Sequence, residues 1–176
     1  SLGKNKKFNY FLFCLVANRR IIPREVVYML KSFSPIKQAY IAGFLDGDGS
    51  IYARAKPNST YRYGFQIALY VVLYQSAKSR ENFVKVCSLI GYGRMRERSD
   101  GVLEYVVNKI DDIQELLECV RPYVVLKKRQ IDLMLRIIGL KCRVETKGDF
   151  EKLLKLIDSY RALNYSKKRK TRTLTP

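Results

Sequence analysis

Two aspartates stand one residue apart in the stretch Phe44-Leu45-Asp46-Gly47-Asp48-Gly49-Ser50. Carboxylates spaced by glycine suit a hard divalent cation, which prefers oxygen donors from carboxylate, backbone carbonyl and water. What the chain lacks narrows the chemistry further. It has no histidine, so imidazole acid–base catalysis and histidine metal ligation are both absent. Cys14, Cys87, Cys119 and Cys142 are far apart, form no CxxC pair, and read as reduced thiols of an intracellular protein. An EF-hand is excluded, because its glycine and closing glutamate would fall on Ile51 and Pro57. A glycine-rich phosphate cradle would need a lysine and a strand-then-helix order that this stretch lacks. A plain helix-to-strand turn remains as the structural alternative.

The elements that must carry these aspartates follow from the flanking pattern. Ser34-Pro35 is an N-cap followed by proline at the first helical position. The helix runs through IKQAYIAGFL and must end at Gly47-Asp48-Gly49. Ala39, Gly43 and Gly47 recur every fourth residue and so form one stripe almost without side chains. Each glycine costs such a helix about 1 kcal/mol, and close approach of a second helix is the usual compensation. A second copy of the same helix is the obvious partner. Asp46 and Asp48 also lie at the helix C-terminus, where the macrodipole disfavours anions by about 0.3–1 kcal/mol each. A local rule broken in this way marks a functional site, most simply one neutralised by divalent cations.

Beyond the helix the period changes to two. Ile51, Ala53 and Ala55 face one way and Tyr52, Arg54 and Lys56 the other. PNST is a turn, and a long strand is expected from Tyr61 to Gln75. One face of it carries Tyr63, Phe65, Ile67, Leu69, Val71 and Leu73. The other carries Arg62, Gln66, Ala68, Tyr70, Val72 and Tyr74. A helix over about 79–90 leads to a second hairpin turning at Ser99-Asp100-Gly101, with Arg94, Arg96 and Arg98 on one face. Three amphipathic helices complete the pattern. The class is α+β, with helices on one sheet face and the other face open and basic.

Charge identifies the partner class. The chain has 176 residues with 34 Lys+Arg against 16 Asp+Glu, a formal charge of +18, which favours a polyanion, nucleic acid ahead of membrane. The apolar run from Phe8 to Ala17 is too short to span a bilayer and is followed by Arg19 and Arg20 without a cleavage signature. We therefore expect residues 1–33 to be an N-terminal extension, helical in part, 34–164 to be the main domain, and 165–176 to be a basic tail.

The stretch YIAGFLDGDGS resembles the LAGLIDADG motif of homing endonucleases, and IYARAKPN continues the likeness. IGYGRMRERS, RPYVVLKKRQ and LNYSKKRKT follow in the family's order, so the resemblance covers roughly residues 36–172. With one motif visible, it is the single-motif, homodimeric subclass that the chain is similar to. The resemblance implies an αββαββα subunit with a curved four-stranded antiparallel DNA-binding sheet. It also implies an intron-encoded enzyme that cuts both strands of a long, nearly palindromic DNA duplex and leaves short 3′ overhangs. The motif helices would form the dimer interface through Ala39, Ala42, Gly43, Asp46 and Gly47. Asp48 matches the essential metal-binding acid, Gly47 offers a backbone carbonyl to the metal, Gln75 matches a polar residue beside the scissile phosphate, and Lys127 matches a lysine that organises water. The basic residue that the family often carries after that glutamine is replaced by Ser79, with Lys78 and Arg80 as candidates for its role.

Metal-assisted hydrolysis needs no histidine, since divalent ions supply the activated water and the charge relief; Mg2+ is the expected ion, with Mn2+ or Ca2+ able to substitute for binding. No small-molecule cofactor and no membrane are expected, and organellar and archaeal hosts both stay open. On the sheet, Arg94, Arg96 and Arg98 can reach guanine, Gln66 adenine, and Tyr70, Val72 and Val106 the thymine methyl. Tyr52, Arg54, Lys56, Asn58, Tyr61, Arg62, Ala68 and Glu104 complete the DNA-facing set. Lys167, Lys168, Arg169 and Lys170 of the tail grip phosphates. An RNA maturase or a non-cleaving DNA binder on the same scaffold is the competing reading.

Overall fold

The motif helix begins as the Ser34-Pro35 pair requires. Ser34 keeps extended backbone and its side chain accepts from the Lys37 N–H at 3.4 Å, while Pro35 opens helix α1, Pro35–Asp48. Gly49 then turns the chain directly into strand β1, Gly49–Pro57. Its backbone is extended, so conformation alone does not demand glycine. Close approach does, because a Cβ here would sit 2.5 Å from both the side chain and the carbonyl of Leu45.

A computed structural model describes residues 34–163. The N-terminal extension and the basic tail expected from the sequence lie outside the described residues. After β1 come β2 (Phe65–Ser76), a 3-10 turn (Ala77–Ser79), α2 (Arg80–Ser88), β3 (Arg94–Glu97), β4 (Val102–Val107), α3 (Ile110–Val120), α4 (Lys128–Lys141) and α5 (Lys147–Leu163). The four strands form one antiparallel sheet in the order β1-β2-β4-β3, with α1 packed on β1, β2 and α3, and α5 on α4 and β1. This is the α+β architecture expected, with two further helices after the αββαββα unit.

Alternation decides which face is core. Ile51, Leu69, Val71, Leu73, Leu103, Tyr105 and Val107 turn to the helices and are buried with Ile41, Leu45, Phe83, Ile113, Leu117, Ile131, Met134, Ile138 and Tyr160. Each such side chain contributes about 1.5–3 kcal/mol relative to exposure.

One expectation needs correction. The second strand starts at Phe65, not Tyr61. Asn58 donates to the Gly64 carbonyl at 2.8 Å and Gly64 adopts φ +73, so residues 58–64 close a loop rather than extend the strand. The alternating pattern in Tyr61-Arg62-Tyr63 imitates a strand, but Tyr63 is instead drawn to α5. Its ring lies 4.8 Å from that of Phe150, and its hydroxyl donates to the Glu145 carbonyl at 2.9 Å.

Candidate functional site: the end of the motif helix and the open sheet face

The site is built where α1 stops. Asp48, its last residue, is exposed and makes no hydrogen bond or ion pair among the described residues. Asp46 behaves differently. One carboxylate oxygen accepts from the N–H groups of Val125 at 2.7 Å and Leu126 at 3.0 Å, and the other accepts from Lys127 N–H at 3.0 Å. Three successive backbone donors thus form an anion-binding concavity just ahead of α4. This resolves the electrostatic misfit at Asp46: an anion at one helix C-terminus is held by donors at the approach to another helix.

Lys127 is the third member. Its ammonium donates to the backbone carbonyl of Asp46. Burial lowers its pKa from the usual lysine value, while the carboxylates of Asp46 and then Asp48 pull it back up. The structure therefore brings Asp46, Asp48 and Lys127 into one electrostatic cluster, although 79 residues or more separate Asp46 from the loop that holds it.

Gln75 is not brought to that cluster. It shares the helix-facing side of β2 with Leu73, its Oε1 accepts from the adjacent Ser76 N–H at 2.8 Å, and it lines a groove with Tyr40, Phe44 and Phe83. Lys127 instead lines a cavity of about 740 Å³ on the open face with Asp46, Ser50, Tyr52, Arg54, Tyr74, Arg96, Glu104 and Gln130. Ser50, Tyr74 and Gln130 were not among the expected site residues. Strand alternation carries the signal for Tyr74, whereas Gln130 arrives only through the docking of α4.

The stripe expected at the dimer seam is presented as one exposed surface: Ala39, Gly43 and Gly47 are all exposed. One residue placed beside it is corrected, and a second is engaged within the chain. Ala42 is fully buried in the chain's own core and has no surface to offer a second copy, because it lies one residue off the four-residue repeat. Asp46 spends its carboxylate inside the chain.

On the open face, register sets Tyr52 opposite Tyr70, Arg54 opposite Ala68 and Lys56 opposite Gln66. The Tyr52 and Tyr70 rings stack at 5.0 Å, Arg54 lies 4.9 Å over Tyr52, and Lys56 donates to the Tyr70 hydroxyl at 2.8 Å. The charged heads of both cations are thus held against aromatic rings on this face. Burial pushes the phenols of Tyr52 and Tyr74 up, so both stay protonated donors at neutral pH.

Further corrections concern the readout set. Val72 and Val106 are buried at 2% and 6% exposure and cannot touch a base methyl. Val72 lies between Tyr70 and Tyr74 along its strand and between Ser50 and Val106 across the sheet. Glu104 is also buried and is paired with Arg96 and Arg98, so it is not an unoccupied acceptor and these are not three independent arginines. Arg62 stands in the loop, 5.2 Å over the Tyr63 ring, and lines a groove with Phe150 on the α5 side. Asn58 is committed to its own loop, accepting from the Thr60 N–H and hydroxyl at 3.0 and 2.7 Å. Tyr61 is 45% exposed at the loop tip. Lys167, Lys168, Arg169 and Lys170 lie outside the described residues. Cys87 is no nucleophile, since burial pushes its thiol up to about 12.

A motif helix running straight into an antiparallel sheet, with its last carboxylate exposed beside a lysine and an open polar face, defines a LAGLIDADG-type scaffold. The chain belongs to the LAGLIDADG endonuclease family, whose model matches residues 41–138. It is 36% identical over 137 residues to the DNA endonuclease I-CreI of Chlamydomonas reinhardtii, covering 77% of this chain and 83% of that protein. To the DNA endonuclease I-CvuI of Chlorella vulgaris it is 33% identical over 103 residues, covering 58% and 64%. A crystal structure of the homing endonuclease I-CvuI in complex with DNA superposes with a TM-score of 0.71 at 30% identity, over 77% of this chain and 86% of that one. The archaeal intron-encoded homing endonuclease I-Vdi141I shares the fold at a TM-score of 0.69 and 23% identity, over 78% and 89% of the two chains.

Proposed function

We propose that this chain is a site-specific endonuclease that, as a homodimer, hydrolyses both strands of a long, nearly palindromic DNA duplex with divalent cations, Mg2+ foremost, and leaves short 3′ overhangs. The observation that carries the reading is Asp48. It is an exposed carboxylate without a hydrogen bond or ion pair among the described residues, at the end of an exposed small-residue stripe, beside a partly buried lysine and a face of aromatics and cations.

The donor set fits a hard cation. Asp48 supplies a carboxylate, and Gly47 lies in the last turn of α1, where carbonyls run out of helical partners. Among the described residues no three acidic or thiol groups cluster to enclose an ion. Two copies meeting along Ala39, Gly43 and Gly47 would place two Asp48 carboxylates together, with phosphate oxygens and water completing the shell. Bound there, the metal supplies an activated water and charge relief at the phosphate. The chain's own residues do the rest. Lys127 presents a cation toward the acidic centre and Arg54 and Lys56 hold the duplex from fixed aromatic mounts. Gln75, on the other side of β2, serves the outer edge of the site rather than the lysine.

Selecting cleavable sequences from a randomised duplex library in Mg2+, with EDTA as control, tests this. Metal-dependent cutting of both strands at a nearly palindromic site is expected. Binding of duplex without cutting in Mg2+ or Mn2+, or preference for structured RNA, would replace the reading with the non-cleaving or maturase alternative.

A further inference from the structure

Asp46 is the acid of the motif whose two carboxylate oxygens both accept hydrogen bonds within the chain, and the loop it holds explains why. Residues 125–127 finish the connection from α3 to α4, and apolar packing does not fix them: Val125 and Leu126 are 79% and 74% exposed, and the Lys127 side chain caps no N–H of α4, its ammonium reaching the Asp46 carbonyl instead. Upstream, Tyr123 and Val124 both donate to the Val120 carbonyl, at 2.9 and 3.1 Å, which anchors only the beginning of the loop. The remainder hangs on three N–H groups donated to one carboxylate. Lys127 is then held at both ends by one residue, its backbone N–H by the Asp46 carboxylate and its ammonium by the Asp46 carbonyl.

We propose that Asp46 is a positioning residue that seats Lys127 at the C-terminal end of the motif helix, beside Asp48. The first aspartate of the pair thus places the lysine and leaves the second free for metal. A long side chain loses much rotamer freedom when ordered, and Asp46 removes that freedom before substrate arrives. This deepens the proposed cleavage reading and rests on it through the role of Lys127.

A double-mutant cycle on the full chain tests it, using a cleavable duplex selected from the randomised library. Single-turnover cutting is measured in Mg2+ and duplex affinity in Ca2+. Asp46→Ala is expected to slow cutting about 10- to 100-fold, the usual penalty for losing a residue that orients a site ligand, with affinity in Ca2+ nearly unchanged. Combined with Lys127→Ala it should slow cutting no further than Lys127→Ala alone, because both changes remove the same placed ammonium. Amide hydrogen exchange at Val125, Leu126 and Lys127 should accelerate in Asp46→Ala. Should that variant melt below the assay temperature, Asp46→Asn, which keeps the shape and one acceptor, goes through the same cycle. Penalties that multiply in the double variant, or wild-type cutting by the Asp46 variants while Lys127→Ala is slow, overturn the positioning role alone. Wild-type cutting by Lys127→Ala overturns the underlying site as well.

Discussion

Arg96 donates through Nε to the buried carboxylate of Glu104, directly opposite it across β3 and β4, at 2.5 Å. Arg98 stands 3.6 Å from the other oxygen and also pairs with Asp100 at 2.6 Å. The arginines are half-exposed or more, whereas the Glu104 side chain is only 8% exposed. One buried anion therefore aims two cations, which keep their remaining donors outward. An oriented guanidinium loses less freedom on meeting guanine than a loose one does.

The asymmetry in burial predicts an asymmetry in stability. Glu104→Ala leaves two arginines that water can solvate, so thermal unfolding should shift little. It should instead raise affinity for random duplex, steepen the salt dependence and relax base preference at two symmetric positions. Arg96→Ala leaves a buried carboxylate with one distant partner and should destabilise the chain by about 1–3 kcal/mol. Melting curves of both variants beside binding to single-substitution duplexes decide it, and equal destabilisation would refute the aiming role.

Gly43 separates packing within the chain from packing between copies. An added side chain there would meet no neighbouring group within 4 Å, so a lone subunit should gain about 1 kcal/mol of helix propensity from Gly43→Ala. In the proposed homodimer, Gly43→Leu should nevertheless drive the copies apart, since overpacking where two backbones would nearly touch costs about 1–3 kcal/mol. Sedimentation read beside thermal unfolding distinguishes the two effects. A Gly43→Leu protein that stays dimeric removes the stripe from the seam.

How much of this was legible in the sequence depends on which contacts are local. The end of α1, the two-residue period of β1 and the Ser99-Asp100-Gly101 turn are written in neighbouring residues, and each is found where the pattern placed it. The start of β2 misled because Tyr63 alternates correctly but answers to Phe150, 87 positions away along the chain. Asp46 misled for the same reason, its partners lying 79 to 81 residues on. Val72 and Val106 were assigned to the correct sheet face, but alternation cannot tell an exposed side chain from one covered by larger neighbours.

Asp48→Asn should abolish cutting while leaving duplex affinity in Ca2+ within about tenfold, because the change removes metal ligation and no groove contact. It should also leave folding intact, since Asp48 makes no hydrogen bond or ion pair among the described residues. Metal-free melting of the variant should therefore match wild type, and a large drop would show that the carboxylate has a structural partner instead. Nicking assays in Mg2+ and Mn2+ complete the measurement.

The final prediction concerns the basic residue that Ser79 displaces. Two cations flank it, and the structure treats them differently. Arg80, at the start of α2, is ion-paired with Glu97 on β3, both about half-exposed. Lys78 lies in the 3-10 turn, where its backbone N–H is held by the Ser76 hydroxyl at 3.3 Å, and its ammonium is exposed without an ion pair among the described residues. A cation already neutralised by a carboxylate has less to offer a phosphate than one that is not. Lys78→Ala should therefore slow cutting about tenfold or more with folding unchanged, a loss typical of a contact made to charge at the reacting phosphate. Arg80→Ala should cost at most about 1 kcal/mol of stability, as exposed pairs do, and slow cutting less. Single-turnover rates of the two variants on the same duplex give the answer; a slower Arg80→Ala would mean that the Glu97 pair opens when DNA binds.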